Sequence, residues 1–377
     1  MFANISIENF RSFRNLRVEP LARINLVSGK NNVGKSSLLE ALLLLGRGGD
    51  QSTILRLNQF RSMSDRIVSS ETAATWLFHC ANAPQTAKIV GKSATAPGDD
   101  HRLELSFFHS ASAVEIDDSD SNRPSLLSVV KSYLQNARSG AGVYLRFKSK
   151  GAEGYGFFHF DLAAAAVKNL LPLNSDSVGR WFAVGHAPHA WKSAQLVDYR
   201  SWDRAHDLDT FSSLRSDGRD KPVLDALNAI DSNLEGLEVL VAGGEPEFYG
   251  RMRGSERLLP IWTFGEGFRH LLSIVTAVAS CRNSIVLIDE IENGLHYSVL
   301  PHVWTAISKA AEEANVQVFA TTHSRECVVA AHEALSQKGE DEFRVHRLER
   351  GRSGEVEAIT YDRDSLAFSL EQGWEVR

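Results

Sequence analysis

The chain has little of what would mark it as secreted, membrane-bound or metal-clustered. Its three cysteines, Cys80, Cys281 and Cys327, are far apart and form no C-x-x-C pair. That excludes a disulfide framework and a cysteine zinc site, and it suits a reducing, cytoplasmic setting. The densest apolar run, Leu271 to Cys281, is far too short for a membrane span. The first residues alternate polar and apolar with no secretory core, so no membrane partner is expected. No repeat of 20–50 residues, no low-complexity tract and no sustained heptad pattern is present. A net charge of −6 excludes a globally basic nucleic-acid coat, while local patches remain compatible with DNA contact. Hydrophobic residues at 43% and charged ones at 23% are those of an ordinary globular protein.

What is present begins at Gly29-Lys30-Asn31-Asn32-Val33-Gly34-Lys35-Ser36, which fits the phosphate-binding loop G-x-x-x-x-G-K-[ST]. Gly29 and Gly34 let the backbone approach phosphate oxygens, and the N–H groups entering the next helix, through Ser37, point at them. Lys35 places a charge on the β/γ-phosphates, and the Ser36 hydroxyl is a Mg2+ ligand. Arg23 to Val27 reads as a buried strand entering the loop, and Ser37 to Leu45 as an apolar helix leaving it. Nucleoside triphosphate binding is therefore expected.

Upstream, residues 3–8 alternate like a half-buried strand, and a second strand is expected near Leu16 to Glu19. Arg11, between them, is either a surface turn residue or a nucleotide contact. After the first helix the pattern weakens. Arg56 to Phe60 reads as a short helix, Thr72 to Cys80 as a strand and His101 to His109 as a strand. An acidic, Ser-rich loop covers 111–124, and helices are expected at 126–137 and 163–171. Gly142 to Lys148 with Gly154 to Leu162 reads as a hairpin carrying Arg146, Lys148 and Lys150. Residues 175–219, with Trp181, Trp191 and Trp202, read as loops and short helices. The tryptophans read as packing anchors ahead of the alternative, a base-stacking platform. Pattern returns with a helix opened by Lys221-Pro222, then three strands between 237 and 262 with Arg251, Arg253 and Arg257 nearby.

Ser284 to Glu290 is an apolar run ending in two acids, the form of a buried parallel strand delivering carboxylates at its C-terminal end. Asp289 is expected to hold Mg2+ and Glu290 to polarise the attacking water. Thr263-Phe264-Gly265-Glu266-Gly267 precedes a helix from Phe268 to Ser280 and forms a second anion cradle. Val316 to Thr321 reads as a strand beside that of Glu290, and it delivers His323 as a sensor of the γ-phosphate.

This ordered set resembles the ABC-type ATPase heads of the SMC/RecF/OLD group. Ile7 to Phe13 is similar to the N-terminal strand motif of SMC-like repair ATPases. Glu290 to His296 with Thr321 to Ser324 is most similar to the OLD (overcoming lysogenisation defect) family. The resemblance covers about residues 1–46 and 222–335. It implies an α/β fold: a P-loop NTPase of ABC type, with a mixed β-sheet core, flanking helices and a large inserted α+β arm subdomain. The core would comprise 1–50 and 222–377, and the arm 51–221.

It further implies ATP and Mg2+ held between two heads in a homodimer or higher homo-oligomer. Lys35, Ser36 and Asp289 would serve phosphate and magnesium, Glu290 catalysis, and His323 the switch. Asn293 would lie in the dimer-contacting loop, and Thr263, Gly265 and Glu266 in the signature. Phe264 stands where transporter signatures carry glycine, and the glutamine loop has two candidates, Gln59 and Gln195. Full OLD proteins continue into a TOPRIM nuclease domain, for which too few residues follow 335. Asp362-Arg363-Asp364 reads as a helix cap. The resemblance therefore implies an ATPase subunit acting beside a separately encoded effector, a nuclease or toxin, in bacterial anti-phage defence. The alternative is a RecF-like DNA repair and recombination ATPase.

Overall fold

The computed structural model describes residues 1–47, 53, 57, 75–81, 86–94, 100–108, 142–149, 152–159, 180–184, 194–199, 203–339 and 342–377. The expectations for 111–124, 126–137, 163–171, Gln59, Lys150, Trp191 and Trp202 lie outside these residues.

Two sheets enclose one helix. The first is antiparallel, with β1 (Phe2–Phe10), β2 (Phe13–Val18), β4 (Thr86–Ser93), β5 (His101–Phe108), β6 (Gly142–Ser149), β7 (Ala152–His159) and β8 (Arg180–Val184) in the order β2-β1-β4-β5-β6-β7-β8. The second is the core sheet. It is ordered β16-β15-β3-β14-β13-β9, from β16 (Val356–Tyr361), β15 (Phe343–Arg350), β3 (Ile24–Ser28), β14 (Gln317–Thr321), β13 (Ile285–Asp289) and β9 (Ala194–Asp198). From β15 to β9 all pairings are parallel, and β16 closes the edge antiparallel.

Helix α1 (Lys35–Gly46) lies between the sheets, and its buried residues run from Ser37 to Gly46. Its leucines share one cluster with Ile5, Ile7, Ile89 and Leu103 of the first sheet and with Val27, Leu287 and Phe319 of the second. A helix apolar on all sides needs cover on all sides, and it has it. Each buried leucine contributes about 1.5–3 kcal/mol. The opposite face of the core sheet (Ile24, Leu26, Val286, Ile288, Val318, Ala320) packs on α2 (Arg204–Ser216), α3 (Lys221–Asn228), α4 (Glu266–Ser280), α5 (Leu300–Ala314) and α6 (Arg325–Leu335). Successive residues of β3, β13 and β14 thus enter two different clusters. That explains runs with apolar residues at consecutive positions rather than only at alternate ones. A small sheet of β10 (Leu234–Ala242), β11 (Glu245–Met252) and β12 (Leu259–Pro260) leads into α4, and α7 (Arg363–Glu371) follows β16.

Several expectations are corrected. Residues 175–219 hold a core strand, β9, in parallel register with β13, and the 13-residue α2, capped by Asp203. Both sheets therefore draw strands from within 51–221. Thr75 to Ala81 is no strand: it turns, meeting β1 only through a bridge from Phe78 to Phe10. β4 carries an Ala87, Ile89, Gly91 alternation and pairs with β1, where no strand was expected. Asp362 caps α7 in a capping box with Ser365, as expected. Arg251 and Arg253 each face a glutamate on β10, Glu238 and Glu235, which neutralises much of that basic cluster. Among the described residues no helix is long and apolar enough to cross a membrane.

The core sheet also buries a titratable group. His346 of β15 is fully enclosed, with Nε2 at 3.1 Å from Asn25 Oδ1 and Nδ1 at 2.9 Å from Thr360 Oγ1. Burial pushes its imidazole down to about 3. The folded state therefore binds this proton less readily than the unfolded chain, and stability is full above the unfolded value of about 6.5. It is lost as pH falls from there toward about 3, at up to about 1.4 kcal/mol per pH unit. Urea midpoints of the wild type should fall between pH 7 and pH 5 by more than those of His346→Asn. Equal slopes would remove His346 from the acid response.

Candidate functional site

The C-terminal ends of β3, β13 and β14 converge because parallel register sets Ile288 level with Ala320 and Thr321 level with Val27. Strand ends of a parallel sheet are where such folds bind ligands. The phosphate loop leaves β3 with Gly29 at φ +145° and Gly34 at φ +114°. A Cβ on Gly34 would meet the Phe13 ring at 2.8 Å, and one on Gly29 would meet the Leu348 carbonyl at 2.6 Å. Both positions thus exclude side chains by conformation and by space. Asn31 and Asn32 are exposed on the loop tip, and Asn32 is left-handed at φ 62°.

Lys35 folds onto its own loop, its Nζ donating to the Gly29 carbonyl at 2.6 Å and the Lys30 carbonyl at 3.2 Å. Burial lowers its ammonium from the usual lysine range, opposed by the charges of Asp289, Glu292 and Glu290. Phosphate oxygens arriving in the loop would restore the solvation this ammonium has lost.

Asp289 and Glu290 end β13. Asp289 accepts from Ser36 Oγ at 3.0 Å and from Thr321 Oγ1 at 2.5 Å. Burial pushes its carboxyl above the usual range, against the lowering effect of both hydroxyls. A half-buried acid beside a serine hydroxyl, in a site where one lysine ammonium faces three carboxylates, fits a divalent cation of hard-oxygen preference. Among the described residues no three His, Cys, Asp or Glu side chains form a site of their own. Mg2+ does not require one, since it takes one or two protein oxygens together with phosphates and water. Ser36 and Asp289 would hold it, and it would neutralise charge on the phosphates.

Glu290 has a left-handed backbone, φ 52°, strained for a residue with a Cβ by roughly 1–3 kcal/mol. Its surroundings fix that conformation. The amide donates to Thr321 Oγ1 at 2.8 Å, the carbonyl accepts from the Asn293 amide at 3.0 Å, and Oε2 accepts from Asn293 Nδ2 at 2.5 Å. The carbonyl also faces the His270 imidazole, which burial pushes down to about 4. Thr321 thus joins Asp289 and Glu290 through one hydroxyl. His323, 46% exposed by side chain, lies just beyond β14.

The second cradle caps α4. Gly265 is its N-cap at φ 87°, exposed, and a Cβ there would meet nothing within 4 Å. Thr263 donates to the Pro260 carbonyl at 2.7 Å, and Glu266 accepts from Tyr199 Oη at 2.6 Å. Phe264 turns inward, its ring 4.8 Å from Phe268 and close against Gly250. Its bulk therefore packs the small sheet and leaves the Gly265 backbone open. Gly267 packs on the turn that carries Asn293: a Cβ there would lie 2.0 Å from the Gly294 carbonyl oxygen.

The structure thus gathers Lys35, Ser36, Asp289 and Glu290 around one loop, ties Asn293 to Glu290 and His323 to Glu292, and sets Thr263, Gly265 and Glu266 on the adjoining helix start. Two residues beside the loop have side chains engaged within the fold. Arg11 is 9% exposed, ion-paired to Glu40 at 3.0 Å and donating to the Trp76 carbonyl at 3.2 Å, so it anchors α1 rather than facing the loop. Ser37 is buried with its hydroxyl 3.3 Å from that of Ser12, so only its backbone belongs to the cradle. Gln195 is held by Cys281 and His206 within β9, and the residue level with Asp289 is Asp198. Sequence reading also missed Tyr199, His270 and Glu292. Of these, only Glu292 had a local signal, an acid two positions beyond Glu290.

Residues 1–124 match the family described as "AAA ATPase domain", and residues 157–328 match "AAA domain, putative AbiEii toxin, Type IV TA system". The chain is 25% identical over 354 residues to an ATP/GTP phosphatase of Helicobacter pylori, covering 90% of this chain and 89% of that protein. It is 33% identical over 88 residues to the DNA replication and repair protein RecF of Shewanella sp. strain MR-4, a match of 23% of this chain and 22% of RecF. Among solved structures, an SMC head bound to the C-terminal winged-helix domain of ScpA aligns over 96% of this chain and 98% of that one, at 11% identity and a TM-score of 0.49. The SMC head domain from Thermotoga maritima aligns with a TM-score of 0.43 at 11% identity over 96% of this chain and 98% of that one. With a phosphate loop, a half-buried Asp-Glu strand end and both ATPase domain matches, the chain is an ATP-hydrolysing P-loop enzyme.

Proposed function

We propose that two copies of this chain close around Mg·ATP and that hydrolysis controls a separately encoded effector, a nuclease or toxin, in anti-phage defence of the OLD-like kind. The observation that carries the catalytic part is the single Thr321 hydroxyl joining Asp289 to Glu290 beside Ser36. Glu290 polarises the attacking water, Lys35 and the loop amides hold the β- and γ-phosphates, and His323 meets the γ-phosphate. The signature cradle at Thr263, Gly265 and Glu266 has an open backbone suited to the partner's nucleotide, which is why hydrolysis should need two subunits. The effector reading is supported by the toxin–antitoxin wording of one matching family.

Mixing subunits tests the dimer. Lys35→Ala and Glu266→Arg should each be inactive alone. Their equal mixture should recover about a quarter of wild-type turnover, because half the dimers are mixed and each mixed dimer keeps one intact site. No recovery in a mixture shown to contain mixed dimers would end the composite-site reading.

The second reading, a RecF-like DNA repair ATPase, is favoured by the RecF match over 88 residues. Hydrolysis stimulated by duplex DNA, with a steep salt dependence, would select it.

A further inference from the structure

Glu292 sits on the turn leaving β13, two residues past Glu290, with a side chain only 10% exposed. Its Oε1 accepts from the backbone amide of His323 at 2.9 Å and lies 3.1 Å from His323 Nδ1. Its Oε2 is enclosed without a hydrogen-bond partner, and its charge reaches Lys35. An acid so enclosed is no solvated surface charge, and leaving one oxygen unpartnered is a cost that packing alone does not explain.

A carboxylate only accepts, so Nδ1 must carry the hydrogen that joins it to Glu292. The ring is then oriented: Nε2 is the nitrogen left on the open edge. Because Oε1 binds both the backbone and the ring of His323, it holds the residue at two points. Glu292 also ties the segment bearing Glu290 to the segment bearing His323, so the two groups move together.

We propose that Glu292 is the positioning residue of His323. It fixes the ring plane so that Nε2 is presented to the terminal phosphate. This rests on the reading of His323 as a γ-phosphate contact. Phosphate oxygens also only accept, so an Nε2 that donates to them leaves both nitrogens protonated, and Glu292 balances that positive charge.

The test is steady-state Mg·ATP hydrolysis by the full chain, with thermal unfolding as a check on folding. His323→Ala and Glu292→Leu should each lower kcat about tenfold or more, with KM within about twofold. Glu292→Gln should fall between them and the wild type, because its amide oxygen still accepts both N–H groups while the charge is gone. In the His323→Ala background, Glu292→Leu or Glu292→Gln should cost less than about twofold. An equal fold-loss in both backgrounds overturns the positioning role. Wild-type kcat in His323→Ala overturns the phosphate-contact reading itself, and the proposal with it. Should Glu292→Leu fail to fold, the Glu292→Gln pair decides the same comparison.

Discussion

Glu290→Gln should bind ATP within about twofold of wild-type affinity and hydrolyse it at roughly one-hundredth of the rate. The substitution is nearly isosteric, and the side-chain oxygen can still accept from Asn293 Nδ2, so the turn need not move. The backbone contacts that hold φ at 52° involve Thr321 Oγ1 and the Asn293 amide, neither of which the substitution touches. What disappears is the carboxylate that polarises the water, and general-base catalysis contributes about 10²–10⁴ in rate. Lys35→Ala should behave oppositely and lose binding, since its charge meets the phosphates in the ground state. Phosphate release with parallel nucleotide-binding measurements separates the two. Wild-type turnover by Glu290→Gln would remove Glu290 from the chemistry.

Gly267→Ala should destabilise the chain by roughly 2–4 kcal/mol and cut hydrolysis more than tenfold. Helix propensity alone argues the other way, because alanine in a helix is favoured over glycine by about 1 kcal/mol. The contact decides the sign. A Cβ at Gly267 would sit 2.0 Å from the Gly294 carbonyl oxygen and 2.8 Å from its carbon, and both are backbone atoms that cannot rotate aside. Either α4 retreats or the turn from Glu290 to Leu295 shifts, and that turn carries the Asn293 bonds to Glu290. A urea midpoint at or above the wild-type value would show that this approach is not tight.

Much of this was legible in the chain. The phosphate loop announces itself because backbone wrapped around phosphates demands glycine at fixed positions. β13 and β14 read as strands because burial on both faces makes consecutive central residues apolar, and β14 stands next to β13 as expected. α1 read as buried because it is apolar on every side. β9 and α2 did not read. β9 has five residues, with Gln195 and Asp198 among them, and its partner lies about ninety positions away. α2 buries Leu208, Phe211 and Leu214 in a correct helical spacing, but polar residues fill every position between them. Arg11 was open between two readings, and only the fold puts Glu40 against it. His270 meets the Glu290 carbonyl only through the fold, which no local spacing encodes.

The strand that carries the phosphate loop has a consequence for synthesis. β3 is flanked by β14 and β15, both made beyond residue 316. The amide of Phe2 donates to Gln317 Oε1 at 2.7 Å, and Gln317 Nε2 donates back to the Phe2 carbonyl at 2.9 Å. A nascent chain emerging from the ribosome therefore carries an apolar β3 with neither neighbour yet translated, and it must wait for them through nearly the whole of elongation. The phosphate loop therefore meets Asp289 and Thr321, the partners that complete its site, only late in synthesis.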